Sequence, residues 1–202
     1  MVMGTSDMQA STAQAAPVRR NRVSGVLAVA FVLSMLVPIY LPVGSLLLMP
    51  YRILLLFAVI PLSVMLFSGK AGRILLIDYL MAFSAFWVAL SLFVNEGFGR
   101  AIEPAGIHIV EFFGAYVLGR VSIRSADDFR MFTRAFFIVV LCLLPFAALE
   151  SYTRQPVLLK IIPQSVAPVD AGLRWGLRRA QTIFPHPILY GVFVSTGLGL
   201  FW

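Results

Sequence analysis

Residues 131–149 read MFTRAFFIVVLCLLPFAAL, a run with one charged side chain, Arg134. A helix crosses a hydrocarbon core of about 30 Å with roughly 20 apolar residues rising ~1.5 Å each. This run meets that length, and so little charge over such a distance reads as a membrane span. The rest of the chain has the same character. Hydrophobic residues make up 60% of its 202 residues and charged ones 12%, with a mean hydropathy of +0.91. A soluble domain carries about twice that charged share. The fold class is therefore all-α, a polytopic transmembrane helix bundle.

Six apolar segments emerge around that run. The first extends from Val23 to Leu41, closed by Pro38 and Pro42. The second, Leu46 to Phe67, carries Arg52 near its start and Pro61 inside; the third, Ile74 to Val94, holds Asp78 one turn in. The fourth, Ala101 to Leu118, is the most polar, with Glu103, His108 and Glu111. The run at 131–149 is the fifth. The sixth, PILYGVFVSTGLGLFW from Pro187 to Trp202, has 16 residues and no polar flank. It covers only about 24 Å at ~1.5 Å per residue. The chain is therefore expected to be the front part of a longer polytopic protein. The domain reading is a disordered cytoplasmic tail at 1–22, five helices over 23–150, a half-embedded loop at 151–186 and a sixth helix from 187 to 202.

The net charge of +7 is scattered between apolar runs, so it forms no nucleic-acid surface and reads as a topology signal. With alternating segments, Arg19, Arg20, Arg22, Lys70, Arg73, Arg120, Arg124, Arg130 and Arg134 share one side, against Arg52 and Arg100 in the opposite short loops. The positive-inside rule then places the N-terminus in the cytoplasm. Arg19 to Arg22 before an apolar run could open a signal peptide, but PIYLPVGS supplies no small-x-small cleavage site, which favours an uncleaved helix. Cys142 is alone, so no disulfide forms within the chain. In RSADDFRMFTR (124–134), Ser125 or Asp127 is suited to cap the fifth helix. Asp78 is expected to pair with Arg73 or Lys70. Gly191, Ser195 and Gly199 repeat every fourth residue, a small-residue face that admits a partner helix.

The long loop after the fifth segment carries the candidate chemistry. It reads SYTRQPVLLKIIPQSVAPVDAGLRWGLRRAQTIFPHP, broken by Pro156, Pro163, Pro168, Pro185 and Pro187. Val157–Ile162 and Trp175 suit the membrane interface. Arg174, Arg178 and Arg179 precede the sixth helix. Guanidinium forks match phosphate oxygens and bind them strongly near a low-dielectric interface. The plainer reading is that they snorkel to lipid head groups. His186, held between two prolines, can contact a hydroxyl or phosphate, or simply cap the helix.

In the fourth segment His108 and Glu111 share a helical face, which suggests a proton relay or a substrate-lining wall. The alternative is that Glu111 pairs with Arg52. One histidine with two spaced carboxylates supplies too few ligands for a closed metal site. The chain has no phosphate-cradling glycine loop and no serine nucleophile elbow.

The order of a RSADDFRMFTR link, a helix ending LPFAALESYTRQP, an arginine-bearing loop and then RRAQTIFPHPILYGVF resembles the bacterial O-antigen ligase and polysaccharide polymerase family of membrane glycosyltransferases. The sharp part is Arg178 to Gly191, with Arg179, Ala180, Thr182, Phe184, His186 and Pro187; Glu150 at its helix end also fits. The resemblance implies transfer of an undecaprenyl-diphosphate-linked glycan at the periplasmic face of the inner membrane. It implies an inverting, metal-independent displacement without a cofactor, with Arg179, joined by Arg178, on the diphosphate. Family members carry a second large periplasmic loop that follows this region, so the 202-residue chain is expected to be inactive alone. Two other classes stay open: part of a multi-pass transporter with a cavity lined by His108 and Glu111, and a membrane scaffold subunit docking through Gly191.

Overall fold

A computed structural model describes residues 22–39, 41–43, 46–162 and 172–200. The tail up to residue 21, Pro163, Pro168 and the closing residues 201–202 lie outside the described residues. Helix α1 (Arg22–Met35) is followed by a small hairpin, β1 (Leu41–Val43) and β2 (Leu46–Leu48), then α2 (Pro50–Phe67) and α3 (Leu76–Glu96). Helix α4 (Phe98–His108) passes through a π-helical segment (Ile109–Gly114) into α5 (Ala115–Ser122). Next come α6 (Ala126–Thr153), the short α7 (Val157–Ile161), a hairpin of β3 (Leu173–Arg174) and β4 (Leu177–Arg178), and α8 (Pro187–Leu200).

Four stretches are long and apolar enough to cross a membrane: Pro50–Phe67, Leu76–Glu96, Phe98–Ser122 and Ala126–Thr153. The apolar helices at either end, Gly25–Met35 and Pro187–Leu200, are shorter. The helix of the first expected segment ends at Met35, and the last residue of that segment, Leu41, faces Leu48 in an antiparallel hairpin of 41–43 with 46–48. Helix α2 starts at Pro50, which suits a first turn because the missing N–H has no intrahelical partner there. Ser125 caps α6: its Oγ accepts from Asp128 N at 3.1 Å while Asp128 Oδ2 accepts from Ser125 N at 3.0 Å. Asp127, the other expected cap, pairs instead with Arg130 at the surface.

Two apolar cores share α1. Ala28 packs with Leu55, Leu62, Leu66, Val117 and Leu118 of α2 and α5. One turn on, Val32 joins Phe136, Val139 and Leu143 of α6, Phe193 of α8, and Ile183 and Phe184 of the loop. The close approach of α8 to α6 is at Gly197, where an added Cβ would stand 3.1 Å from Phe136. Gly191 and Gly199 have open space where a side chain would extend, and Ser195 is exposed, so the expected small-residue face turns away from the described residues. Phe57, Ile60, Val64, Leu76 and Val94 are left largely exposed, the outer surface of a body solvated by lipid.

The bundle has two distinguishable ends. At one, Arg120 donates to the carbonyl of Arg73 and Arg124 to that of Lys70, so four short-loop cations gather there. Asp78 is fully buried at that end, and the expected pairing with Arg73 or Lys70 is corrected. Its partners are Arg120 Nε at 3.3 Å, Tyr116 Oη and Leu75 N at 2.7 Å. Helix packing sets α5 beside it, while Arg73 contributes only a carbonyl. At the other end Leu159 of α7 packs on Met49 with Tyr51 alongside, which seats the long loop over the start of α2.

Candidate functional site

Helix α6 delivers Glu150 to the long-loop end with its side chain 2% exposed. A carboxylate in such a place must be paired or hydrogen-bonded to stay charged. Glu150 Oε2 accepts from Thr182 N at 2.8 Å, and Oε1 faces Arg178 Nε at 3.8 Å without a hydrogen bond of its own. Arg178 Nη1 donates to the Arg154 carbonyl at 3.2 Å, and Arg154 Nη2 donates to the Gly176 carbonyl at 3.0 Å. These contacts stitch the hairpin and the loop that follows it to the end of α6.

The backbone here is unusual. Arg154, Trp175 and Thr182 have φ of 59°, 51° and 53°, and they are the non-glycine residues with positive φ among the described residues. Such left-handed conformations cost of order 1–3 kcal/mol each and persist where surrounding contacts over-determine them. At Thr182 the contacts are plain: it is fully buried, its N–H is held by Glu150, and the next residues Ile183 and Phe184 enter the apolar core. Phe184 lies against Phe193 with ring centroids 5.0 Å apart, and Phe193 stacks on Phe136 at 4.4 Å. Buried Gln181 donates from Nε2 to the Pro185 carbonyl at 3.1 Å, closing the turn.

The four loop residues singled out from sequence separate into distinct roles. Arg178 is engaged by Glu150 and Arg154, so it holds the loop together. In the hairpin Leu173 faces Arg178 and Arg174 faces Leu177, so alternation sends exposed Arg174 to the opposite face from Arg178. Arg179 is half-buried, and its Nε is a buried donor without a partner. His186 is the residue before α8, and its Nδ1 accepts from Ile188 N at 3.2 Å. A neutral imidazole using Nδ1 as acceptor carries its proton on Nε2, which leaves a donor. The first turn of α8 offers few amides: Pro187 has none, Ile188 uses His186 Nδ1, and Leu189 N bonds the His186 carbonyl at 3.0 Å. What the helix end presents is its positive dipole rather than free N–H groups.

The other expected pair does not form one wall. Glu111 lies on the π-helical segment, where Oε1 accepts from Tyr51 Oη and from Arg52 Nε, both at 2.6 Å. A cavity of about 190 Å³ beside it is lined by Arg52, Glu103 and Glu111 among aliphatic side chains that include Leu48 and Ile107. His108 is not part of that lining; it stacks on Phe112, with Nε2 buried and unpartnered. Glu103 joins Glu111 because two turns of helix return it to nearly the same face. Among the described residues no three His, Cys, Asp or Glu side chains gather as metal ligands.

Glu150 as the organiser of the loop, and Tyr51 as a partner of Glu111, are the contributions that sequence reasoning did not assign. The signal for Glu150 was a lone carboxylate closing an apolar helix; for Tyr51 there was none. No protein-family model, curated protein or solved structure matches the chain.

Proposed function

We propose that this chain forms the donor-binding part of an O-antigen ligase or polymerase-like glycosyltransferase, with Arg179 holding the diphosphate of an undecaprenyl-linked glycan. The observation that carries the reading is the buried, unpartnered Arg179 Nε in a loop fixed by Glu150. A guanidinium whose surroundings are already built, yet which lacks an acceptor, is suited to an anion that comes and goes. His186 Nε2–H adds a neutral donor, and the dipole of α8 adds favourable potential. In this reading all six apolar helices cross the bacterial inner membrane, the N-terminus is cytoplasmic and the 151–186 loop is periplasmic.

The chemistry is a displacement. An acceptor hydroxyl oxygen bonds to the anomeric carbon as the bond from that carbon to the phosphate oxygen breaks, and the electron pair leaves on the diphosphate. Arg179 lowers the barrier by meeting the negative charge that grows there. The hydroxyl proton passes to a base on the acceptor side, the role that the resemblance gives to the second periplasmic loop. His186 does not supply it, because its Nδ1 lone pair is taken by Ile188 N and Nε2 then carries the proton. Substituting Arg179→Ala in the intact gene, expressed in its own host, should reduce glycan transfer by about 10²–10³-fold. Membrane abundance should stay normal. Undiminished transfer at normal abundance overturns the assignment.

A second reading is favoured by one observation, the π-helical segment at Glu111 beside the Arg52–Glu103 cavity, since such irregular turns recur at functional sites. It makes the protein a proton-coupled transporter. Glu111→Gln should then alter uptake and leave glycan profiles unchanged, whereas the transferase reading expects no uptake to alter.

A further inference from the structure

At the short-loop end a groove of about 270 Å³ runs between α1 and α6, lined by Val26, Val29, Met131, Arg134, Ala135 and Ile138. Five of the six are apolar, and Val26 and Ile138 are more than half exposed. The bundle does not close over them. Arg134 is the one charged member. It stands eight residues beyond the start of α6, about 12 Å along the helix axis at ~1.5 Å per residue. A 28-residue helix at ~1.5 Å per residue exceeds a hydrocarbon core of about 30 Å, so exposed Arg134 stands at the boundary between head groups and acyl chains, where a cation meets lipid phosphate. Arg134 makes no hydrogen bond or ion pair with any described residue. The nearest cation on its own face, Arg130, is already paired with Asp127.

We propose that this groove is a binding site for an anionic glycerophospholipid, with its phosphate on the Arg134 guanidinium and an acyl chain along Val29, Ala135 and Ile138. The occupant follows from the combination. A guanidinium fork fits phosphate oxygens, and the apolar trough continuing from it fits hydrocarbon but not a hydrated ion. A free phosphate would satisfy Arg134 and leave the trough in contact with ordinary lipid. A neutral or zwitterionic lipid would fill the trough but bring a compensating cation to an already basic end. The site is independent of the glycan chemistry, because it lies at the opposite end of α6 from Glu150.

The purified full chain in detergent tests this by native mass spectrometry and thermal unfolding with added phosphatidylglycerol, phosphatidylcholine or inorganic phosphate. Phosphatidylglycerol should be retained and raise the unfolding temperature, whereas phosphatidylcholine and phosphate should do neither. Arg134→Gln should weaken retention by about tenfold or more, the loss of a charge-assisted contact. Val29→Trp, which fills the trough and spares the charge, should weaken it too. The proposal fails if either variant holds phosphatidylglycerol as the wild type does. It fails equally if phosphatidylcholine or inorganic phosphate protects as well.

Discussion

The two ends of the bundle place a buried carboxylate in opposite situations. At the short-loop end Asp78 has three donors converging on it, from Leu75, Tyr116 and Arg120, and the positive-φ residues of the loop before it are glycines. At the long-loop end Glu150 has one good hydrogen bond, a looser ion pair and an unbonded oxygen. Around it are three left-handed non-glycine residues and the unpartnered Arg179 Nε. The short-loop end also leaves one buried polar atom unbonded, Ser122 Oγ, but that group is neutral and costs less than an unmatched ion. A saturated polar cluster stabilises; an unsaturated, strained one keeps capacity for something else. On the proposed function, the difference gives Asp78 a structural role and the Glu150–Arg179 loop the handling of the glycan donor.

Asp78→Ala offers the largest test. It strands three donors, so unfolding should become easier by about 3 kcal/mol. On the proposed function, glycan transfer per folded molecule should not change. Loss of transfer beyond loss of abundance would mean the ends are not separate in function. Glu150→Gln comes next and acts in the opposite sense. A Gln oxygen still accepts from Thr182 N, but the amide cannot balance Arg178, which costs about 1–2 kcal/mol. Because the loop that aims Arg179 then loosens, transfer should fall further than protein level does. Equal falls in both would reduce Glu150 to a stability residue. Thermal unfolding in detergent and glycan profiles normalised to membrane abundance separate these outcomes.

The span-forming helices were legible because lipid solvation writes itself plainly: α2, α3, α4–α5 and α6 each occupy a long apolar run. The pairing of Asp78 was not, since its partner Arg120 is 42 residues away and only helix packing joins them, whereas Arg73 is close in sequence and supplies a backbone carbonyl instead. The π-helical turn at Glu111 leaves no mark on hydrophobic period, so His108 and Glu111 looked like one wall. In the loop, RRAQTIFPHP drew attention to a stretch that Glu150 anchors through Thr182 N. It could not say that Arg178 is spent on Glu150 while Arg179 is not, because that depends on where α6 ends in space. The β3–β4 hairpin was hidden because Trp-Gly is a poor advertisement for a tight turn that normally favours Asn-Gly.

That turn gives the smallest effect and the sharpest probe of the long-loop end. Trp175 and Gly176 both have positive φ, 51° and 78°, the pattern of a type I′ hairpin turn. Trp175 is fully exposed, so replacing it removes no packing. Asn tolerates the left-handed region far better than an aromatic residue does. In detergent, Trp175→Asn should therefore raise the unfolding temperature slightly, by about 1–3 °C. Strain at an exposed position that a common residue would relieve calls for a compensating contact, and an indole at a membrane interface is one. In bilayers the sign should then reverse, and brominated lipids should quench wild-type fluorescence more than that of the variant. A rise in both settings, with unchanged quenching, would leave the strain at Trp175 uncompensated by lipid. The contrast between the ends would then rest on Glu150 and Arg179 alone.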